Sequence, residues 1–222
     1  IGVVLSLLLG LLPFAVSEAS ALQESDSNDD LLCEVGQDID LLIMVDESAS
    51  MQGSNQLQVR EALKKIRSEM EKAPEGFTIR VALASFGKEA GELIRGFSTE
   101  SLSNNDFERA TDLNSQLRPG TNYQLAFEQA QKFFQGETND PTKENCRVLL
   151  FFTDGVIENR GDKDSELAEK GRAAACQGNL ARDLNKNENI TTIAVMLKQT
   201  RTDSVTQDKL QASIEMLLAI TG

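Results

Sequence analysis

Ile39-Asp40-Leu41-Leu42-Ile43-Met44-Val45 is an apolar run that leads straight into Asp46-Glu47-Ser48-Ala49-Ser50. A second run, Cys146-Arg147-Val148-Leu149-Leu150-Phe151-Phe152-Thr153, leads into Asp154-Gly155. Short apolar runs of this kind suit strands, and the nearly continuous second one suits a central strand buried on both faces. Two such strands, each followed by an aspartate, predict a parallel pair with both carboxyl ends at one edge. In open α/β sheets that edge is where ligands bind. Thr121, just before a helical stretch in mid-chain, can reach the same rim. The rim then offers oxygen donors from three loops: Asp46, Ser48, Ser50, Thr121 and Asp154. Carboxylates and hydroxyls suit a hard divalent cation, magnesium or calcium.

The rest of the chain fits around that pair. Leu57, Val59, Leu63, Ile66 and Met70 recur at helical spacing and predict a helix that stops before Pro74-Glu75-Gly76. Residues 77–86 alternate like a strand, 87–91 form a turn, and 92–97 return. A connection that short makes the pair antiparallel. Residues 106–117 and 122–134 read as helices separated by Arg118-Pro119-Gly120. A polar loop over 158–165 leads to a helix ending near Leu184, a strand over 190–197 and a helix over 206–220. The order predicts an α/β fold: a doubly wound, mostly parallel sheet with one antiparallel edge strand. The right-handed crossover rule then puts helices on both faces.

Composition narrows the function. Of 222 residues, 35 are acidic and 22 basic, a formal net charge of -13, which argues against binding nucleic acid or anionic membrane surfaces. The same excess attracts divalent cations, although it also serves simply to keep a secreted protein soluble. There is no histidine. That removes Ser-His-Asp and Cys-His nucleophilic sites, and it removes histidine-based zinc centres.

Residues 1–21 read as a signal peptide whose start is truncated. The run from Ile1 to Val16 is apolar and uncharged, and Ala19-Ser20-Ala21 is a cleavage site of the A-x-A kind. An N-terminal membrane anchor is the alternative. Residues 22–37 are acidic and polar and read as a disordered leader, and 38–222 as the domain. Either reading of the start places the domain outside the cytosol, secreted or at the cell surface. Cys33, Cys146 and Cys176 fit an oxidising compartment, and Asn189-Ile190-Thr191 is a glycosylation sequon.

Asp46-x-Ser48-x-Ser50 after the first strand, Thr121 before a helix, and Thr153-Asp154-Gly155 after a hydrophobic strand resemble the von Willebrand factor A domain. The resemblance covers roughly Asp38 to Gly222. It implies a Rossmann-like fold carrying a metal-ion-dependent adhesion site. Ser48 and Ser50 would ligate the metal through their hydroxyls, and Thr121 directly or through water. Asp46 and Asp154 would act directly or through water. It implies an extracellular binding module that grips an acidic residue of a protein partner through magnesium, calcium or manganese, and no enzyme. Ser50-Met51 and Asn145-Cys146 carry a fainter resemblance to the A domain of calcium-channel α2δ subunits. In that case the domain is a structural module of a larger protein, its metal bracing the loops. A complete A domain ends in a sixth strand and a last helix, and after Leu197 only one helical segment remains. The C-terminal strand and helix are therefore expected to be missing.

Each fragment also has a plainer reading. Asp46 and Ser48 suit a helix N-cap, Thr121 suits the cap of the helix after it, and Asp154-Gly155 suits a turn. A hydrolase using Asp46 or Asp154 as base is the remaining alternative, and no phosphate-cradling glycine loop supports it. Asp38-Ile39-Asp40 lies before its strand, at the wrong edge for the site. Cys146 opens its strand at the edge opposite the rim, and Cys33 enters from that edge. Cys176 falls ~12 Å up toward the rim at ~1.5 Å per helical residue. A disulfide needs α-carbons within ~7 Å, so Cys33–Cys146 is easier than Cys146–Cys176 if the leader folds back. Domain-closing bridges in the family leave a third option, Cys33 with a cysteine beyond Gly222.

Overall fold

The computed structural model describes residues 37–48, 51–73, 76–87, 91–111, 121–136, 145–154, 184 and 189–197. The expected signal peptide, the leader up to residue 36, the polar loop over 158–165, the helix after it except Leu184, the helix over 206–220, and Ser50, Cys33 and Cys176 lie outside them.

Five strands form one sheet: β1 (Ile39–Asp46), β2 (Ile79–Phe86), β3 (Leu93–Ser98), β4 (Cys146–Thr153) and β5 (Ile190–Met196). Their order is β3-β2-β1-β4-β5. β1 runs parallel to both β2 and β4, β4 runs parallel to β5, and β2 and β3 are antiparallel. The expected mostly parallel sheet with one antiparallel edge strand is the observed one. The described helices are α1 (Ser54–Met70), α2 (Asn104–Thr111) and α3 (Tyr123–Gly136).

Strand alternation sends successive side chains to opposite faces, and on β1 both faces are buried. Leu41, Ile43 and Val45 join a core with Val59, Leu63 and Ile66 of α1 and Phe107 of α2. Leu42 and Met44 join a second core with Tyr123, Phe127 and Phe134 of α3. β4 divides in the same way, Leu150 and Phe152 to the first core and Leu149 and Phe151 to the second. So helices cover both faces, and the middles of the two central strands, residues 41–45 and 148–152, are apolar because neither side meets water.

Leu57 departs from expectation. It is 64% exposed, whereas Val59, Leu63 and Ile66 are buried. At about 100° per residue, Leu57 points roughly 200° away from Val59, to the solvent side of α1. The helix over 106–117 begins earlier than expected, at Asn104, and is described as far as Thr111.

The amino edge of the sheet is locked by polar contacts of its own. Arg80 grips Asp40 through two 2.7 Å bonds, Nε to Oδ1 and Nη2 to Oδ2. Asn145 Nδ2 donates to both carboxylate oxygens at 3.2 Å. Asp40 and Arg80 are register partners across β1 and β2. This bidentate pair is structural, at the edge away from the carboxyl-end rim, as its place in the sequence implies. Cys146 is buried at that same edge, and its N–H donates to the Asp38 carbonyl at 2.8 Å. Asn189 sits there too, exposed at the start of β5, with φ 52.

Candidate functional site

The carboxyl ends of β1 and β4 lie side by side because Val45 pairs with Phe152 in parallel register. Asp46 and Thr153 therefore emerge next to each other. The neighbouring strands complete the rim. The Glu47 N–H donates to the Phe86 carbonyl at 2.8 Å, extending the β1–β2 ladder. The Leu197 N–H donates to the Thr153 carbonyl at 2.9 Å. The Asn122 N–H donates to the Gly87 carbonyl at 2.9 Å, which fastens the segment carrying Thr121 to the end of β2.

Four of the five expected donors, Asp46, Ser48, Thr121 and Asp154, are described, and all four are buried at this rim. Ser50 lies outside the described residues. The Asp46 carboxylate is the hub. Its Oδ1 accepts from the Ser48 N–H at 2.8 Å, closing an Asx turn over Glu47. Its Oδ2 accepts from the Thr153 hydroxyl at 2.7 Å. Thr121 Oγ1 lies 3.5 Å from the same oxygen, at the outer limit of a hydrogen bond. The chain then turns through Gly53, whose φ of 76 lies in the left-handed region that favours glycine, and enters α1.

The capping alternatives do not hold. α1 begins at Ser54, and Gly53 precedes it without a side-chain cap, so neither Asp46 nor Ser48 caps that helix. The cap of α3 is Asn122, whose Oδ1 accepts from the Leu125 N–H at 3.1 Å, which leaves Thr121 outside the helix.

Two residues of the rim are not among the donors read from the sequence. Thr153 donates to Asp46, and the Tyr123 hydroxyl lies 2.8 Å from Thr153 Oγ1. A hydroxyl carries one proton. Thr153 spends its proton on Asp46, so Tyr123 is the donor to Thr153. The tyrosine ring is held by Phe86 and Phe151, with centroids at 5.9 and 6.5 Å. Burial pushes the ionisation of the Tyr123 hydroxyl well above its ordinary 10.0, and the negative charge of Asp46 adds to that push. The hydroxyl therefore keeps its proton. One signal was available in the sequence: this is the chain's single tyrosine, placed where an apolar helix face otherwise carries phenylalanine.

The rim concentrates buried negative charge. Asp46 is fully buried and Asp154 is 1% exposed. Burial first, and the charge of Asp154 second, raise Asp46 from its ordinary 3.8 to about 7. The groups that offset this rise are the neutral donors Ser48 and Thr153. Two carboxylates in one dry pocket repel each other and favour protonation of one; a divalent ion relieves the same repulsion. Among the described residues no group of three or more His, Cys, Asp or Glu side chains gathers. The donor set is thus hydroxyl-rich rather than a carboxylate or thiolate cage, and it fits a hard cation left partly unneutralised.

Residues 41–156 match the family model of the von Willebrand factor type A domain. The chain belongs to that family. Domains of the family are typically protein-interaction and adhesion modules rather than enzymes. The matched span contains all five expected donors. Among solved structures, the SpRpn10 VWA domain is 16% identical, with 82% of each chain covered and a TM-score of 0.47. The pilus adhesin SpaC from Lactobacillus rhamnosus GG, in its open conformation, is 14% identical with a TM-score of 0.51. That match covers 82% of this chain but 26% of the adhesin. At 14% identity the likeness to the adhesin concerns the fold alone. No curated protein matches the chain. Among the described residues no helix is long and apolar enough to cross a membrane.

Proposed function

We propose that this von Willebrand factor type A domain is a divalent-metal-dependent protein-binding module that acts outside the cytosol. Asp46, Ser48, Ser50, Thr121 and Asp154 would hold magnesium, calcium or manganese as a metal-ion-dependent adhesion site. The observation that carries the reading is the pair of buried carboxylates, Asp46 and Asp154, at adjoining strand ends with hydroxyls around them. A bound ion would supply a Lewis-acidic position open to a carboxylate of a protein partner. The chain's own residues do the rest. Ser48 and Thr153 orient Asp46, the backbone bonds of Glu47, Asn122 and Leu197 fix the three loops, and burial shields the Asp46 and Asp154 side chains. The apolar run over residues 1–16 and the net charge of -13 support a secreted or cell-surface setting.

Calorimetric titration with magnesium chloride tests the proposal. The wild-type chain is expected to bind, and Ser48→Ala and Asp154→Ala are expected to lose binding while keeping the far-ultraviolet circular dichroism of the parent. Magnesium affinity left unchanged in both variants would sink the site assignment. A second titration, of a glutamate-containing peptide into the magnesium-loaded chain, separates a binding module from a domain whose metal only braces loops. Heat released in magnesium but not in EDTA supports the former.

A further inference from the structure

We propose that Tyr123 is a positioning residue of this metal site, acting through Thr153 on Asp46. The inference rests on the metal reading above and deepens it.

The geometry is a short relay into the core. Asp46 Oδ2 accepts from Thr153 at 2.7 Å, and Thr153 Oγ1 accepts from Tyr123 at 2.8 Å. All three side chains are fully buried, so water does not substitute for any member. A threonine hydroxyl rotates freely unless something occupies its lone pairs. Tyr123 does so, and thereby directs the single Thr153 proton at Asp46 rather than at any other acceptor. The aromatic cluster fixes the source of that bond. Phe86 packs tilted against Phe151 and Phe127 stacks on it, at centroid distances of 4.7 and 5.1 Å, and the tyrosine ring leans on Phe86 and Phe151. α3, which carries Tyr123, is therefore coupled to the rim by packing and by two hydrogen bonds. With Oδ1 held by the Ser48 N–H and Oδ2 by Thr153, the carboxylate plane of Asp46 has little freedom. Groups that orient a metal ligand in this way commonly change metal affinity by about 10–100-fold when removed.

Composition supplies a reporter. The chain has one tyrosine and no tryptophan. Its near-ultraviolet tyrosine band therefore comes from Tyr123 alone, and it reads the state of the relay without any label.

The test uses the full chain and magnesium alone. Tyr123→Phe keeps the ring and removes only the hydroxyl. Magnesium titrations by calorimetry, with urea unfolding in EDTA alongside, are run on wild type, Y123F, T153V, T153S and Y123F/T153V. The expected result is a loss of about tenfold or more in magnesium affinity for Y123F and for T153V, with T153S close to wild type. The double variant is expected to be no weaker than T153V, because Tyr123 acts only through Thr153. The tyrosine band of the wild type is expected to shift along the same binding curve as the heat. Magnesium affinity of Y123F within about twofold of wild type would overturn the inference, however much its stability fell, since a purely structural tyrosine predicts that pattern. If Y123F does not fold, the wild-type band decides: binding heat with no movement of the band overturns the relay. A wild type that binds no magnesium overturns the metal reading itself, and is told apart because it needs no variant.

Discussion

Replacing Asp46 by asparagine in the metal-free chain isolates the cost of the buried charge. In the unfolded chain Asp46 ionises at its ordinary 3.8, and in the folded, metal-free chain at about 7. Between those values the folded state holds a proton that the unfolded state has released. The stability linked to this group is complete below the lower value and is lost as pH rises through the higher one. At ~1.4 kcal/mol per pH unit, the loss across the window amounts to about 4 kcal/mol. Asp46→Asn has the same shape and no charge at any pH. It cannot match both acceptors, since one amide oxygen faces two donors, the Ser48 N–H and the Thr153 hydroxyl. That mismatch costs about 1–3 kcal/mol and does not vary with pH. Urea unfolding in EDTA, followed by circular dichroism from about pH 4 to pH 8, reads the difference. Wild-type stability is expected to fall relative to D46N by about 4 kcal/mol over that range. Saturating magnesium is expected to restore wild type by about 2.7 kcal/mol at a hundredfold excess over Kd and to leave D46N unchanged. Wild-type and D46N curves that run parallel with pH would refute the reasoning, because they would mean that the Asp46 charge costs nothing when buried.

Three further outcomes follow from the same structure. Phe151→Ala, which empties the centre of the aromatic core under the rim, is expected to cost about 3–5 kcal/mol in urea unfolding; a loss below about 1 kcal/mol would show that the cluster collapses around the gap. Leu57→Ser is expected to leave stability within about 0.5 kcal/mol of wild type, because the side chain stands in solvent, and a large loss would place Leu57 in a core after all. Non-reducing peptide mapping of the chain expressed through a secretory pathway is expected to yield a Cys33–Cys146 peptide, since the Cys146 N–H bonds to Asp38, five residues beyond Cys33; a Cys146–Cys176 peptide would reverse that assignment.

The sequence by itself determined the central strand pair, the placing of helices on both faces and the rim. Those features are local: a nearly continuous apolar run buries both faces of its strand, and the residue after its last one sits at the strand's carboxyl end wherever the sheet forms. Hence the sequence places Asp46, Ser48, Thr121 and Asp154 on one edge and Asp40 on the other. Leu57 shows where that logic stops, since helical spacing alone does not say which stripe of α1 meets the sheet until the sheet is there. The relay was beyond reach for a related reason. Tyr123 and Thr153 are 30 residues apart, Thr153 and Asp46 are 107 apart, and nothing in either neighbourhood marks them as partners. Only the parallel register of β1 and β4, with α3 packed on one face of them, brings those three polar atoms within hydrogen-bond distance. The rise of Asp46 to about 7 belongs to the tertiary structure as well. A carboxylate's charge becomes costly only when folding removes the water around it and sets a second carboxylate beside it.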